Sequence, residues 1–180
     1  MTTAERFEAF VLRYQDMVYA TTVRLLGNDV DAEDVAQMVF LKAFQKFDAI
    51  GESPAAPGWL RTVATNACLN HLSRYRKRWR FFSELGSTDA EGHDLPYEPA
   101  ATSERSQALD LERAEEQEQL ELALRRLPDH QRVPLVLFHF ESTSYQDIAC
   151  KLGVSVGKVK TDIHRGREAL RRLISDHATT

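Results

Sequence analysis

The most specific pattern in the chain is Ser144-Tyr145-Gln146-Asp147-Ile148-Ala149-Cys150-Lys151-Leu152-Gly153-Val154-Ser155-Val156-Gly157-Lys158-Val159-Lys160-Thr161. Ile148 and Leu152 lie one helical turn apart, and Ala149 is small enough to let a second helix approach closely. Gly153 suits the left-handed backbone of a tight turn, and Ser155 can cap a following helix. The pattern therefore predicts two helices that cross at a sharp turn, which is a helix-turn-helix.

The second of these helices combines an apolar face with a polar and basic one. We expect Val159 and Ile163 to pack on the first helix. The candidate DNA contacts on the other face are Ser155, Lys158, Lys160, Thr161, His164, Arg165 and Arg167. Cationic side chains contact phosphate or guanine, and the N-terminal part of such a helix enters the major groove. The alternative interpretation is an ordinary helical hairpin with a solvated basic face.

The distribution of charge also favours a polyanionic partner, although the net charge is −4. Residues 61–82 hold six Lys or Arg residues and no acid, whereas residues 83–121 hold twelve acids and two arginines. From residue 122 onward there are ten basic and six acidic residues. An acidic middle thus separates two basic blocks, and two such blocks indicate nucleic acid more strongly than one solvated helix face would.

Helical periodicity and turn residues predict an all-α protein of two small bundles joined by a linker. Apolar residues at steps of three and four predict a first helix that ends at Gly27-Asn28, and Asp29 or Asp31 can cap the second. A loop is expected over 48–58, and Pro57 suits the first position of a new helix. The predicted divisions are a bundle over 1–82, a flexible acidic linker over 83–113, and a bundle with the helix-turn-helix over 114–180.

Several classes of protein are disfavoured by the sequence. It contains no apolar run of 18 residues and no basic-then-apolar start, so we expect a cytoplasmic protein without membrane insertion. Cys68 and Cys150 lie far apart in helical patterns and are expected to be buried apolar residues. We find no nucleophile–base pair, metal-ligand set or phosphate loop, and we therefore expect neither an enzyme nor a cofactor.

The third helix of the first bundle is a second candidate for nucleic-acid contact. Its aromatic, amide and basic side chains are Trp59, Asn66, Asn70, Arg74 and Arg76. Such groups suit a separated strand, whose bases stack on aromatic rings or enter pockets. A single tryptophan can equally belong to the core of the bundle.

These segments together closely resemble bacterial sigma-70-family RNA polymerase sigma factors of the extracytoplasmic-function (ECF) type. The resemblance is carried by residues 31–44, 59–66, 127–133, 145–149 and 164–167. It implies that the first bundle is sigma region 2, which binds core RNA polymerase and the −10 promoter element. It also implies that the second bundle is sigma region 4, which reads the −35 element. An anti-sigma factor is the further partner implied.

The resemblance assigns roles to particular residues. Polymerase contacts are expected at Asp34, Gln37, Met38 and Phe40. Contacts to the −10 element are expected at Trp59, Arg61, Asn66, Asn70, Arg74, Arg76 and Lys77, with loop 49–57 receiving a flipped base. Contacts to the −35 element are expected at the seven candidate residues of the helix-turn-helix, Ser155, Lys158, Lys160, Thr161, His164, Arg165 and Arg167. The acidic linker would thread the polymerase channel that RNA later uses.

Three positions depart from the usual pattern of the family, namely Met38, Phe138 and Asp162. An acid on the recognition helix would repel phosphate unless it pairs with Lys158 or Arg165. Two other functions remain open at this point. One is a stand-alone helix-turn-helix regulator, and the other is a sigma mimic that sequesters an anti-sigma protein.

Overall fold

The computed structural model describes residues 2–73 and 107–178, and all regular secondary structure in these ranges is helical. The helices are α1 Thr3–Leu26, α2 Asp29–Gln45, α3 Phe47–Ile50, α4 Ala56–His71, α5 Gln107–Arg126, α6 Asp129–His139, α7 Tyr145–Leu152 and α8 Val156–Ala178. The predicted all-α class is therefore confirmed. Arg74, Arg76, Lys77 and most of the predicted linker lie outside the described residues.

In the N-terminal half, α1, α2 and α4 pack on one another around a fully buried core. Helix α1 ends at Gly27, whose φ of 76° lies in the left-handed region. The cap of α2 is Asn28, not Asp29 or Asp31 as predicted, because its side-chain oxygen accepts a hydrogen bond from Asp31 N at 2.8 Å. Asn28 is the residue just before the helix, so only its side chain is placed to reach that N–H.

The predicted loop after α2 contains a short helix of its own. Helix α3 buries Phe47 and Ile50, and the ring centroid of Phe47 lies 5.2 Å from that of Phe7 on α1. Helix α4 begins at Ala56, so Pro57 is at its second position and not at the predicted first one. Both positions lie in the first turn, where the missing N–H of proline removes no hydrogen bond of the helix. The contact between Phe47 and Phe7 therefore fixes the first part of the loop to the body of the bundle.

In the C-terminal half, α5, α6 and α7 all pack on α8. The helix-turn-helix is confirmed: Gly153 has a φ of 67°, and Ser155 Oγ accepts a hydrogen bond from Lys158 N at 3.1 Å. Val159 and Ile163 are each only 1% exposed, as the pattern predicts. Helix α5 begins at Gln107, so residues 107–113 belong to a helix and not to the linker. This stretch is rich in Ala, Leu, Glu and Arg, which are strong helix formers.

The two halves also pack against each other, because α1 contacts both α5 and α6. The steps of three and four in the sequence place Thr22, Leu25 and Leu26 on the apolar face of α1 and leave out Thr21 and Val23, yet Thr21 and Val23 are also buried. The two cysteines differ: Cys68 is buried as predicted, whereas Cys150 is exposed on α7, contrary to the prediction. The apolar side of α7 is formed by Ile148, Ala149 and Leu152, which leaves Cys150 on the opposite side.

Candidate nucleic-acid interface

Helix α8 presents the predicted −35 contacts with different degrees of exposure. Ser155, His164 and Arg165 are exposed. The partly buried members of the set are Lys158, Lys160, Thr161 and Arg167. All seven lie on the N-terminal half of α8 or at its cap, which is the part that enters the major groove in this motif.

The charge of Lys158 is balanced inside the protein. Its Nζ lies 2.6 Å from Oδ1 of Asp162, and Asp162 is only 5% exposed. Burial raises the pKa of Asp162, and the hydrogen bond and charge of Lys158 oppose that shift. The sequence left Lys158 and Arg165 as possible partners of Asp162, and in the structure Asp162 pairs with Lys158. The acid is turned inward, so it does not face phosphate as a bare charge.

Two other cations of the set lie against aromatic rings. The rings of Phe138 and Tyr145 are stacked, with centroids 4.6 Å apart and an angle of 7° between their planes. Lys160 Nζ lies 5.6 Å from the Tyr145 centroid, and Arg167 Cζ lies 5.8 Å from the Phe138 centroid. Both distances are within the range of cation–π attraction. Phe138, a departure from the family pattern, thus helps to hold Arg167 at this surface.

Arg167 is held by a histidine as well. Its Nε donates a hydrogen bond of 3.0 Å to Nε2 of His139. The pKa of His139 is lowered by burial and then by the charge of Arg167, and an unprotonated ring nitrogen is what this acceptor role requires. Sequence reasoning missed His139, because a lone histidine at the end of α6 carries no pattern that points to α8.

Helix α4 places only part of the predicted −10 set on one face. At about 100° per residue, Trp59, Asn66 and Asn70 fall within about 40° of one another around the helix. Asn66 and Asn70 are exposed, whereas Trp59 is partly buried and packs on the core. Arg61 lies about 160° from Trp59 on the same count. Its positive charge acts instead on Glu141 of the C-terminal half.

A pocket of about 200 Å³ adjoins the loop expected to receive a flipped base. It is lined by Arg6, Ala9, Phe10, Arg13, Tyr14, Phe47, Gly51 and Glu52. Arg6 Nη2 lies 2.6 Å from Glu52 Oε1 and so joins the start of α1 to this loop. The sequence did not indicate this contribution of α1, because the two segments are far apart in the chain.

The predicted polymerase contacts lie on and beside a groove between α1 and α2. The groove has a volume of about 640 Å³, and Gln37 and Phe40 are among its lining residues. Leu41 and Phe44 also line it and are 64% and 54% exposed. Asp34 and Met38 are exposed on α2 outside the groove lining. This side of the N-terminal half is therefore an apolar surface with polar residues around it.

Two further observations concern only the described ranges. None of their helices combines the length and the apolar character that crossing a membrane requires. Within the same ranges, no group of three or more His, Cys, Asp or Glu side chains is placed to hold a metal ion.

Comparison with known proteins matches both halves to parts of one family. Residues 10–80 match the model of sigma-70 region 2, and residues 117–170 match that of sigma-70, region 4. The ECF RNA polymerase sigma factor SigW of Bacillus subtilis (strain 168) is 30% identical, over 96% of this chain and 90% of the relative. The RNA polymerase sigma-H factor of Pseudomonas aeruginosa is 32% identical, over 93% of this chain and 86% of the relative.

A solved structure is also similar. It is the sigma factor RpoE in complex with the anti-sigma factor NepR from Bartonella quintana, at a TM-score of 0.49 and 24% identity. The match covers 94% of this chain and 96% of that one.

Proposed function

Because the chain belongs to the ECF type of the sigma-70 family of RNA polymerase sigma factors, we propose that it binds core RNA polymerase and directs it to promoters through −35 and −10 elements. The observation that carries the proposal is the helix-turn-helix, whose recognition helix has polar and basic side chains on its N-terminal half, with Ser155, His164 and Arg165 exposed. The match of the N-terminal half to region 2 disfavours a stand-alone regulator, since such a regulator would need only the C-terminal motif.

The −35 element is read by α8. Arg165 and His164 are the exposed groups nearest the centre of the predicted face, and Lys160 and Arg167 lie beside it against aromatic rings. Arginine can bond guanine in the major groove with two hydrogen bonds, and lysine can neutralise phosphate. Lys158 contributes less to this attraction, because Asp162 balances its charge.

The −10 element is bound as a separated strand along α4. Asn66 and Asn70 offer amide donors and acceptors on the face that also carries Trp59. A base turned out of the stack would enter beside loop 49–57, where Tyr14 and Phe47 supply aromatic surface. Arg61 lies on another side of α4, so its contribution is to the general positive charge of this half.

Core polymerase binds the exposed side of α2, where polar residues surround an apolar groove. Buried apolar area there would supply affinity, and the surrounding Asp34 and Gln37 would supply specificity. We further infer that the protein works in the cytoplasm, performs no catalysis itself, and is restrained by an anti-sigma factor.

The test is transcription from a promoter whose two elements are taken from transcripts mapped after overexpression. Purified chain with core polymerase should give run-off transcripts that core polymerase alone does not give. Lys160→Ala and Arg165→Ala should each weaken binding of the holoenzyme to this promoter by about 1–3 kcal/mol.

The matched control is Arg171→Ala, which removes an exposed cation of the same helix beyond the N-terminal half that carries the predicted DNA contacts. Promoter binding by this variant should remain within about twofold of the wild type. The proposed function fails if no promoter gives transcripts above core polymerase alone. A chain that binds duplex but never retains polymerase would instead support the stand-alone regulator.

A further inference from the structure

Four side chains from three helices form one continuous cluster beside the recognition helix. The ring of Phe138 on α6 is stacked on that of Tyr145 on α7. His139 stands edge-on to Phe138, with ring centroids 5.0 Å apart and an angle of 88° between the planes. Arg167 of α8 lies against the Phe138 ring and donates a hydrogen bond to His139. The Arg167 guanidinium is thus held at two points, and both belong to α6.

The hydrogen bond to His139 decides which donors of Arg167 remain for another partner. A guanidinium has five N–H groups, one on Nε and two on each Nη. Among the described residues, Arg167 donates one hydrogen bond, from Nε, which leaves the four N–H groups of Nη1 and Nη2 for an acceptor outside the chain. These two nitrogens form the end of the side chain, where two oxygen atoms of one phosphate can accept side by side. Holding Nε therefore presents the guanidinium end-on to an anion.

Arg167 lies on an edge of α8 and not on the face of Arg165. At about 100° per residue, Arg167 is about 160° from Arg165 but only about 20° from Lys160. Lys160 is the cation that lies against the other ring of the stack, that of Tyr145. Arg167 also lies about three turns after the start of α8 at Val156. Base edges are contacted by the N-terminal residues of such a helix, so the position of Arg167 suits a phosphate of the duplex backbone.

An arginine that is already held in place binds with a smaller loss of conformational entropy. Immobilising a long side chain on binding is unfavourable, and Arg167 is immobilised in part before DNA arrives. His139 can serve as the acceptor because burial and the charge of Arg167 lower its pKa, so that its ring is neutral at pH 8. The contacts of α6 therefore prepare Arg167 for an anion without adding a charge of their own.

We propose that His139 and Phe138 are positioning residues for DNA binding, which hold Arg167 so that its Nη1 and Nη2 groups donate to a phosphate beside the −35 element. The inference rests on the proposed function, because α8 must lie on duplex DNA for this contact to form. It separates the roles of two arginines: Arg167 contacts the backbone of any sequence, whereas Arg165 is placed to read a base.

The test measures how tightly the full-length chain binds a short DNA duplex of arbitrary sequence at pH 8 over a series of salt concentrations. Phosphate contacts carry no sequence information, so no promoter sequence is needed. Arg167→Ala removes one phosphate contact and should reduce the slope of log affinity against log salt by about 0.9. His139→Ala keeps the cation but releases it, so affinity should fall about fivefold while the slope stays unchanged.

The matched control is His139→Gln. Its amide oxygen can accept from Nε as the ring nitrogen does, and neither substitution changes the net charge at pH 8. His139→Gln should therefore restore the affinity to within about twofold of the wild type. Although its ring is partly desolvated, His139 as a whole is exposed, so both variants should unfold at nearly the same urea concentration as the wild type.

A double-mutant cycle distinguishes positioning from a general structural role. If His139 acts through Arg167, His139→Ala should have no further effect on duplex binding in a chain that already carries Arg167→Ala. Phe138→Leu removes the ring that contacts both side chains, and it should weaken binding in the wild type but not in the Arg167→Ala chain. In the holoenzyme, His139→Ala should weaken binding by the same factor to promoters that differ at single bases of the −35 element.

The outcomes separate this inference from the proposed function. Failure of His139→Gln to restore affinity, or an equal loss from His139→Ala with and without Arg167, would overturn the positioning role. A loss that depends on the −35 sequence would show that Arg167 reads a base, which would also overturn it, as would a wild type that binds no duplex even at low salt. If the wild type gives no transcripts with core polymerase, the proposed function fails, whereas duplex binding by the free chain still tests the role of His139.

Discussion

Replacing Arg132 by methionine tests how much the buried guanidinium contributes to stability. Methionine keeps an unbranched apolar stem, is shorter than arginine, and removes all of its hydrogen-bond donors. The carbonyl oxygens of Leu25, Leu26 and Leu127 would then lose the partner that the structure gives them. The Asp129 carboxylate would lose its cation as well.

The size of the effect follows from these contacts. Hydrogen bonds from a charged donor contribute about 1.5–3 kcal/mol each, and Arg132 makes three to carbonyl oxygens, of 2.7, 3.1 and 3.3 Å. Removal of the guanidinium also removes the cost of keeping a charge out of water, so the contributions do not simply add. Deleting one partner of a fully buried pair costs about 3–5 kcal/mol. Because the Asp129 side chain is 33% exposed, we expect Arg132→Met to lose about 3 kcal/mol, at the lower end of this range.

The measurement is urea unfolding followed by circular dichroism. Arg132→Lys should fall between the wild type and Arg132→Met, because one ammonium cannot reach acceptors on three helix ends as a planar guanidinium does. Arg126→Met, which removes an exposed cation from α5, should change the free energy of unfolding by about 0.5 kcal/mol or less. A loss below about 1 kcal/mol for Arg132→Met, or equal stability of Arg132→Lys and the wild type, would refute the reasoning.

Three further predictions follow from burial and exposure. Burial raises the pKa of Glu141, whose carboxylate accepts a hydrogen bond from Thr21. Ionisation of Glu141 therefore lowers the free energy of unfolding as the pH rises from 4.5 through the raised pKa. Glu141→Gln should therefore be more stable than the wild type above that range, and its stability should vary less with pH in urea unfolding; a parallel pH profile would contradict this. Burial raises the pKa of Cys68 to about 12, whereas Cys150 is exposed, so iodoacetamide at pH 8 should modify one thiol per folded chain by mass spectrometry. Modification of both thiols at similar rates would show that Cys68 is accessible. Met38 is 46% exposed, and Met38→Ala should leave the free energy of unfolding unchanged while weakening core-polymerase binding about fivefold in a pull-down titration. Unchanged binding would remove Met38 from the polymerase contact.

Local signals were enough to predict the helix-turn-helix. Gly153 adopts the left-handed turn and Ser155 caps the next helix, because both roles depend on residues within one or two turns. The burial of Val159 and Ile163 followed from helical periodicity in the same way. Boundaries were less well predicted: α5 begins at Gln107 inside the predicted linker, where acidic composition concealed a helix-forming stretch.

Contacts between the halves could not be predicted from the sequence. Thr21 and Val23 are buried although the sequence pattern left them out of the apolar face of α1, and α1 contacts α5 and α6. Arg132 was visible only as part of a motif, and an arginine on a helix is expected to be exposed. Its burial depends on the carbonyl oxygens of Leu25 and Leu26, which are about a hundred residues earlier in the chain. No local sequence pattern predicts a contact between residues so far apart in the chain.

The charge balance of α8 sets how strongly the C-terminal half can bind DNA by itself. Lys158 is neutralised by Asp162, so the attraction of α8 for phosphate rests mainly on Lys160, Arg165 and Arg167. About three phosphate contacts give a salt slope near −2.7 and weak binding to the −35 element alone. Tight promoter binding then requires the N-terminal half as well, because linking two weak contacts raises affinity only when both can be made together.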